Sequence, residues 1–372
     1  MDPAAKSRLV KRLAEQIGFQ RVGITTPAPS RNAAYYRRWL QAGQAGSMAY
    51  LARNTELREN PALLLPDARS VICVAVSYNR QDPGEDEPQT LLCAGPQEQR
   101  RTSAGAAGSV AQPPPAVSGN AAPWASPAPP GRPSLGQPRP AGRVARYARG
   151  RDYHVVLGRM LRELVALMRA ELDEPFKARV CVDTAPLIER ELAAAAGIGW
   201  IGKNTLVLHE LLGSYLLLGE VLTTLELEPD APATDHCGTC TRCLEACPTQ
   251  AFPAAYQMDA SRCISYFTIE HRGDIPPEFR NQIGDWVFGC DVCQEVCPFN
   301  QRAPLGVQPE IMQSRVPARI DLLELVSLRS GAYRRLTRDT ALGRATRPML
   351  VRNAEIALHS QPQTKQRACA DY

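Results

Sequence analysis

The chain has 372 residues, 43 Lys and Arg against 38 Asp and Glu, a net charge of +5 and 12 cysteines. That length holds about two or three domains and a sizeable core. The longest apolar stretch, Leu211 to Leu222, is broken by Gly213, Ser214 and Glu220, far short of the roughly 18 uninterrupted apolar residues a membrane-crossing helix needs.

Met1 to Phe19 is charged and amphipathic and lacks the apolar core of an export signal. A cytoplasmic, reducing location is therefore expected, which disfavours disulfides. Ser70 to Ser77 (SVICVAVS) reads as a buried strand. The stretch from about Gln81 to Gly142 turns rich in Pro, Ala, Gly, Ser and Gln and loses its aliphatic periodicity. It reads as a disordered insertion within one domain, with Trp124 as a lone aromatic.

Tyr153 to Leu172 repeats apolar residues at helical spacing, and Ala178 to Val182 looks like a strand. Asp183-Thr184-Ala185-Pro186 carries start signals for a helix running to about Ala196, with Asp183 read locally as its cap. Gly197-Ile198-Gly199-Trp200-Ile201-Gly202 matches G-x-G-x-x-G letter for letter. A dinucleotide fingerprint follows a strand and opens a helix; this one follows a helix and runs into the strand-like Thr205 to Leu208, so nicotinamide binding is rejected.

Eight cysteines fall between Cys237 and Cys297. Seven form two runs with one grammar: Cys237, Cys240, Cys243, Cys247-Pro248, then Cys290, Cys293, Cys297-Pro298. This is the bacterial ferredoxin spacing, in which the fourth cysteine crosses to the other cluster. Crossing places Cys297 with Cys237, Cys240 and Cys243, and Cys247 with Cys290 and Cys293. Cys263 fills the remaining vacancy, giving two [4Fe-4S] clusters. Zinc is the competing reading, with His236 beside Cys237. Four closely spaced thiolates in one short loop are hard to place around a single tetrahedral ion. Cys73, Cys93, Cys181 and Cys369 are isolated, and Cys73 and Cys181 are expected to be buried, inert thiols.

From Gln301 to Tyr372 there are 12 Lys and Arg against 6 Asp and Glu, so this tail carries +6 and the remainder about minus 1. Asp321 to Ser330 and Arg347 to Leu358 read as helices within it. Such a region suits a polyanionic partner or a solvated helical surface equally.

The chain resembles the epoxyqueuosine reductase family along nearly all its length outside the insertion. The matching segments include Met48 to Leu51, Leu64 to Ile72, Arg146-Tyr147-Ala148, Gly150 and Asp152-Tyr153-His154. They continue with Val182-Asp183-Thr184, Gly199 to Thr205, Gly213-Ser214, the eight cysteines, Cys263 to Tyr266, Ile269 to Gly273 and Arg352-Asn353-Ala354. The resemblance implies an α+β fold. A cobalamin-binding α/β domain would span 1–225, a ferredoxin-like two-[4Fe-4S] domain 226–310, and a short, basic, α-helical tRNA-binding region 311–372. The activity implied is reduction of epoxyqueuosine to queuosine at the tRNA wobble position, using cob(I)alamin. The two clusters would relay electrons from a reduced flavodoxin or ferredoxin in a monomeric, membrane-free enzyme.

By the same resemblance Asp183 is the catalytic acid and a cofactor contact, with Arg58, Arg146, Lys203, Asn204, Ser214, Ser265 and His271 as further cobalamin contacts. An aspartate pKa near 3.9 would have to rise about 3 units, or about 4 kcal/mol. Desolvation beside Val180-Cys181-Val182 is the expected cause. Arg334, Arg335, Arg344, Arg347 and Arg352 are the expected phosphate contacts, and the modified base would leave the anticodon stack to react. Two departures from the family are the long insertion and a shorter C-terminal helical region. The rival readings are a cobalamin-dependent reductive dehalogenase, which would carry an export signal, and a ferredoxin-like electron carrier, which would bind no corrin.

Overall fold

The computed structural model describes residues 1–81 and 139–360; Trp124, Cys93, Cys369 and most of the expected insertion lie outside them. Helix α1 (Pro3–Ile17) starts where Asp2 accepts the Ala5 N–H at 2.6 Å, with Pro3 in the first turn, and stops at Gly18 in the left-handed region. Both ends follow ordinary capping chemistry. Strand β1 (Arg21–Thr25), helices α2 (Ala33–Gln41) and α3 (Thr55–Glu59), and strand β2 (Ser70–Ser77) follow. After the undescribed stretch come β3 (Ala141–Val144), α4 (Tyr153–Glu171), β4 (Ala178–Cys181), α5 (Glu189–Ala195), β5 (Trp200–Ile201), β6 (Val207–Leu208) and β7 (Leu216–Thr223). The proline-rich segment expected to reach Gly142 thus gives way to strand at Ala141.

Among the described residues the main sheet has the order β1-β2-β7-β4, antiparallel throughout. Side chains alternate across a strand. Ile72, Val74 and Val76 therefore face a core built with α1 and α4, while Val71, Cys73 and Ala75 face one built with α5. Covering both faces is why all eight β2 residues are buried and why the run reads as continuously apolar. Cys73 and Cys181 are buried on the α5 side, as expected.

The cysteine-rich part continues through α6 (Arg242–Glu245), α7 (Ile264–Ile269), α8 (Pro277–Ile283), β8 (Trp286–Phe288), α9 (Val292–Glu295) and α10 (Pro298–Gln301). Then come α11 (Pro309–Met312), β9 (Arg319–Asp321), α12 (Leu322–Val326), α13 (Ser330–Thr337) and α14 (Arg347–Ser360). Asp321 ends β9 and caps α12, accepting the Leu323 N–H at 2.8 Å. The helix expected from Asp321 is accordingly interrupted before Ser330.

A second sheet joins distant parts of the chain: β3 pairs in parallel with β8 and antiparallel with β9. Stretches that sequence alone divides into three regions therefore share one sheet and one apolar cluster, in which Val144, Phe288, Ile320 and Leu350 pack together.

The glycines of the G-x-G-x-x-G match serve packing. Gly197 closes α5 with φ +74, and a Cβ at Gly199 would sit 2.0 Å from the Leu208 carbonyl oxygen across the β5–β6 hairpin. The motif turns a helix into that hairpin, the reverse of a nucleotide-binding loop. No described helix is long and apolar enough to cross a membrane.

Candidate active site

Asp183 follows the end of β4 after one residue, Val182. It does not cap a helix: α5 begins only at Glu189, and residues 183–188 run through successive tight turns. In these the Thr184 N–H meets the Val182 carbonyl at 2.5 Å and the Leu187 N–H meets the Ala185 carbonyl at 2.8 Å. Each closes over i to i+2, the geometry of γ-turns, which consumes the start signals read in Asp183 to Pro186. Asp183 itself has φ 51, a conformation costing a non-glycine residue on the order of 1–3 kcal/mol unless neighbours hold it. Two contacts do so: Glu189 Oε1 accepts the Asp183 N–H at 2.5 Å, and the Arg58 guanidinium donates to the Leu187 carbonyl at 3.4 Å.

The Asp183 carboxylate meets the first turn of α4. Tyr153 Oη donates to Oδ2 at 3.1 Å, and His154 Nε2 lies 3.1 Å from the same oxygen. The other imidazole nitrogen, Nδ1, lies 2.8 Å from Asp152 Oδ1, which also caps α4 through the His154 N–H. Both ring nitrogens thus face carboxylates, an arrangement complete only for the doubly protonated imidazolium.

The electrostatics correct the expectation for Asp183. Crowding by protein on one side pulls its carboxyl upward, but the hydrogen bond and charge of His154, with Tyr153, outweigh it and hold the group below its ordinary value. Its side chain is 57% exposed, so the desolvation anticipated from Val180-Cys181-Val182 is only partial. Desolvation also disfavours the imidazolium, yet Asp152 and Asp183 together lift His154 to about 9. At neutral pH the proton resides on His154, one hydrogen bond behind Asp183.

A cavity of about 990 Å³ opens nearby. Tyr36 and Trp39 of α2, Ile188 at the end of the Asp183 loop, Asn204 in the β5–β6 turn and Met258 contribute to its wall, which also includes Cys247, Cys263, Cys290 and Cys293. Trp39 Nε1 donates to the Met258 carbonyl at 2.6 Å, clasping the N-terminal part to the cysteine-rich part.

The eight cysteines form two neighbourhoods. Burial pushes the Cys290 thiol well up, and its thiol neighbours are Cys263 and Cys247; Cys293 is similarly buried and sees Cys290, Cys263 and Cys247. Desolvation likewise raises Cys243, whose neighbours are Cys237, Cys297 and Cys240. These are the two sets that the crossing rule gives. Cys293 also senses Cys243, so the sets adjoin. Among the described residues no three His, Cys, Asp or Glu converge tightly enough for one ion. A tetrahedral zinc would draw its sulfurs to about 3.8 Å of one another, given a Zn–S bond of about 2.3 Å.

The other expected site residues separate into groups. Asn204 and Ser265 line the cavity. Lys203 Nζ binds the Gly238 and Cys240 carbonyls at 2.6 and 3.0 Å and so secures the outer cysteine loop. Ser214 is buried against Asn300 and Gln294: its N–H donates to Asn300 Oδ1 at 2.7 Å, and its Oγ accepts from Asn300 at 2.9 Å and from Gln294 at 3.1 Å. Arg146 lies over the Tyr215 ring, and its N–H donates to Asp291 at 2.7 Å. His271 bridges Tyr266 Oη and the Asp274 carbonyl, as a structural hydrogen-bonding residue.

Of the expected phosphate contacts, Arg352 is spent internally on the His271 and Phe267 carbonyls at 2.8 and 2.6 Å. Arg344 forms a two-pronged pair with Glu270 at 2.7 and 3.0 Å, and Arg347 reaches the Leu328 carbonyl. Arg334 and Arg335 are exposed on α13. Sequence reasoning assigned no role to Tyr153, His154, Glu189 or Glu220. The one available signal was Glu220, a lone carboxylate in an apolar strand.

A cavity walled by one of two adjoining cysteine sets, with a protonatable pair beside it, defines an iron–sulfur oxidoreductase. Residues 236–300 match the 4Fe-4S double cluster binding domain, and residues 122–184 match the model described as epoxyqueuosine reductase QueG, DUF1730. The chain is 36% identical over 361 residues to the epoxyqueuosine reductase of Xanthomonas campestris pv. campestris, covering 97% of this chain and 88% of that one. It is also 36% identical to that of Pseudomonas aeruginosa, covering 98% and 88%. The chain belongs to the epoxyqueuosine reductase family.

Among solved structures, it is similar to an epoxyqueuosine reductase bound to an epoxyqueuosine-modified tRNA-Tyr stem loop, with TM-score 0.75, 28% identity, and 95% and 82% coverage. It is similar also to the Bacillus subtilis enzyme captured with its catalytic aspartate loop swung out of the active site, with TM-score 0.74, 27% identity, and 95% and 82% coverage.

Proposed function

We propose that this chain reduces epoxyqueuosine to queuosine in the tRNA anticodon, with the cavity as reaction chamber, one cluster as its immediate electron source and Asp183 as proton donor. The observation that carries the reading is the shared wall: Cys247, Cys263, Cys290 and Cys293 line the same cavity as Ile188 at the end of the Asp183 loop. These four would hold the inner cluster, and Cys237, Cys240, Cys243 and Cys297 the outer one. The segments 1–225, 226–310 and 311–372 would supply the chamber, the relay and the tRNA surface. A reduced flavodoxin or ferredoxin in the cytoplasm would be the donor to a monomeric enzyme.

Cobalamin is the group proposed for the cavity. The fit rests on size, at the upper end of the roughly 300–1,000 Å³ of ligand sites, on mostly apolar walls, and on the few polar side chains among them, Asn204 and Ser265 included. Asn204, Ser265, Trp39 and Met258 would hold it. When bound it supplies a reduced cobalt able to attack carbon–oxygen bonds.

The chain's own residues do the rest. Removing the epoxide oxygen as water and leaving the alkene consumes two electrons and two protons. Cys247, Cys263, Cys290 and Cys293 would hold at the cavity wall a cluster able to supply electrons one at a time, and the apolar walls exclude water. His154 holds a proton at Nε2, Asp183 passes it to the departing oxygen, and Asp152 keeps the imidazole oriented. Arg334 and Arg335 are placed for sequence-tolerant phosphate contacts with the tRNA.

The test is anaerobic turnover of an epoxyqueuosine-containing anticodon stem-loop, with nucleosides read by mass. Queuosine is expected; its absence from protein carrying both clusters and cobalamin overturns the reading. Corrin absorption bands after reconstitution separate the enzyme from a simple electron carrier.

A further inference from the structure

Beneath the Asp183 loop lie two carboxyl groups that the reaction as described does not use. Glu220 stands on β7, which pairs with both β2 and β4, with Cys73 and Cys181 as its cross-strand partners. It is fully buried, and among the described residues neither side-chain oxygen has a separate hydrogen-bond donor. The group it meets is Glu189, the first residue of α5, whose Oε1 accepts the Asp183 N–H at 2.5 Å.

Two ionised carboxylates do not share a dry site without a cation. The charge of Arg190 reaches Glu189 and eases part of the repulsion, but its hydrogen bonds go to Thr205, at 2.5 Å to the carbonyl, and Arg179 donates to the Leu64 carbonyl at 2.8 Å, so among the described residues no guanidinium donates to either carboxyl. A single proton resolves the contact, since one carboxyl then donates and the other accepts. Burial raises both groups above the ordinary carboxylate range; the charge of Asp183 adds to the rise at Glu189, which the Glu220 hydrogen bond offsets in part, while the charge and hydrogen bond of Glu189 push Glu220 up further. Besides each other, the titratable and charged groups facing the pair are Asp183 from its loop, Cys73 and Cys181 from β2 and β4, and Arg190 from α5. His154 and Tyr153 of α4 lie beyond Asp183.

We infer that Glu189 and Glu220 share one proton and that this pair is the positioning element of the Asp183 loop, keeping on Glu189 the acceptor oxygen that the Asp183 N–H requires. The inference rests on the reading of Asp183 as proton donor. Positive φ at Asp183 leaves its N–H pointing to Glu189, so the backbone conformation and the carboxyl pair support each other. Doubly ionised, the pair repels and the acceptor withdraws; with Glu189 shortened, the loop loses its anchor.

Infrared spectroscopy of the cluster-loaded protein at neutral pH provides the first test. A protonated-carboxyl C=O band, shifting in D2O, is expected in the parent, retained in Asp183→Asn and lost in Glu220→Gln. No such band in the parent, or one that survives Glu220→Gln, overturns the inference. Because the Asp183→Asn spectrum involves no turnover, the inference and the acid reading fail separately.

Kinetics provide the second test. Glu189→Ala is expected to lower kcat by about tenfold or more with KM little changed, as misplacement of a reacting group does. Glu189→Gln, which keeps an acceptor oxygen, is expected to restore most of the rate. Parent-like kcat in Glu189→Ala, with cluster absorbance and thermal unfolding unchanged, overturns it.

Discussion

Cys237, Cys240 and Cys243 lie in a loop with exposed residues between them and away from the cavity, whereas Cys290 and Cys293, equally half-buried, form part of the cavity wall. Both runs end in the same Cys-x2-Cys-x3-Cys-Pro spacing; the surroundings differ. Solvent exposure and hydrogen bonds to sulfur set a cluster's potential, so clusters held by the two sets would be unlike redox sites. On the function proposed above, a protein donor would meet the outer loop, while the inner set borders the proposed reaction chamber.

The largest effect should come from breaking the inner site. Cys290→Ala should lower iron from about eight to about four per chain, the content of two and one cubanes, and abolish turnover with any reductant. Cys240→Ala should lose a similar amount of iron yet keep turnover when a small chemical reductant replaces the protein donor. Equal losses under both reductants would erase the functional distinction. Next, Asp183→Asn should reduce turnover by about 10²–10⁴-fold, the range for a general acid, with both clusters intact by absorbance.

His154→Gln should reduce kcat less, by about 10²-fold, and alter the pH profile. The folded-state pKa of His154 is raised to about 9 from an ordinary value near 6.5. Its contribution to stability and proton supply is therefore complete below about pH 6.5 and lost as pH rises through about 9. Thermal unfolding of parent and variant should converge above that range; a constant difference would show that the ion pair is not the cause. Lys203→Met should leave kcat near the parent and speed loss of the outer cluster alone in air, monitored by electron paramagnetic resonance. The smallest effect belongs to Arg334→Ala with Arg335→Ala, which should raise KM for the stem-loop and reduce the salt slope by about two.

Much of this was legible in the sequence because it rests on local periodicity or fixed spacing. The eight buried residues of β2 and the long helix α4 each follow from one stretch of chain. The helix expected from Thr184 failed because tight turns and the Glu189 contact took the backbone groups that a first helical turn would use. The Asp183–His154 contact and the Glu189–Glu220 pair join residues from separate elements, and no periodicity marks them. The expected rise in Asp183 reversed for the same reason, since its counter-charge comes from another helix. Arg352 illustrates the limit of charge counting: it adds to a basic tail on paper and serves backbone carbonyls in the fold.

The β8-β3-β9 sheet bears on how the chain is made. Val144 and Arg319 stand 175 positions apart, an interval that takes about 9 to 35 seconds to synthesise at roughly 5–20 residues per second. All eight clustered cysteines emerge within it. During that time β3 lacks first β8 and then β9, so the second sheet is completed only after all eight have been made.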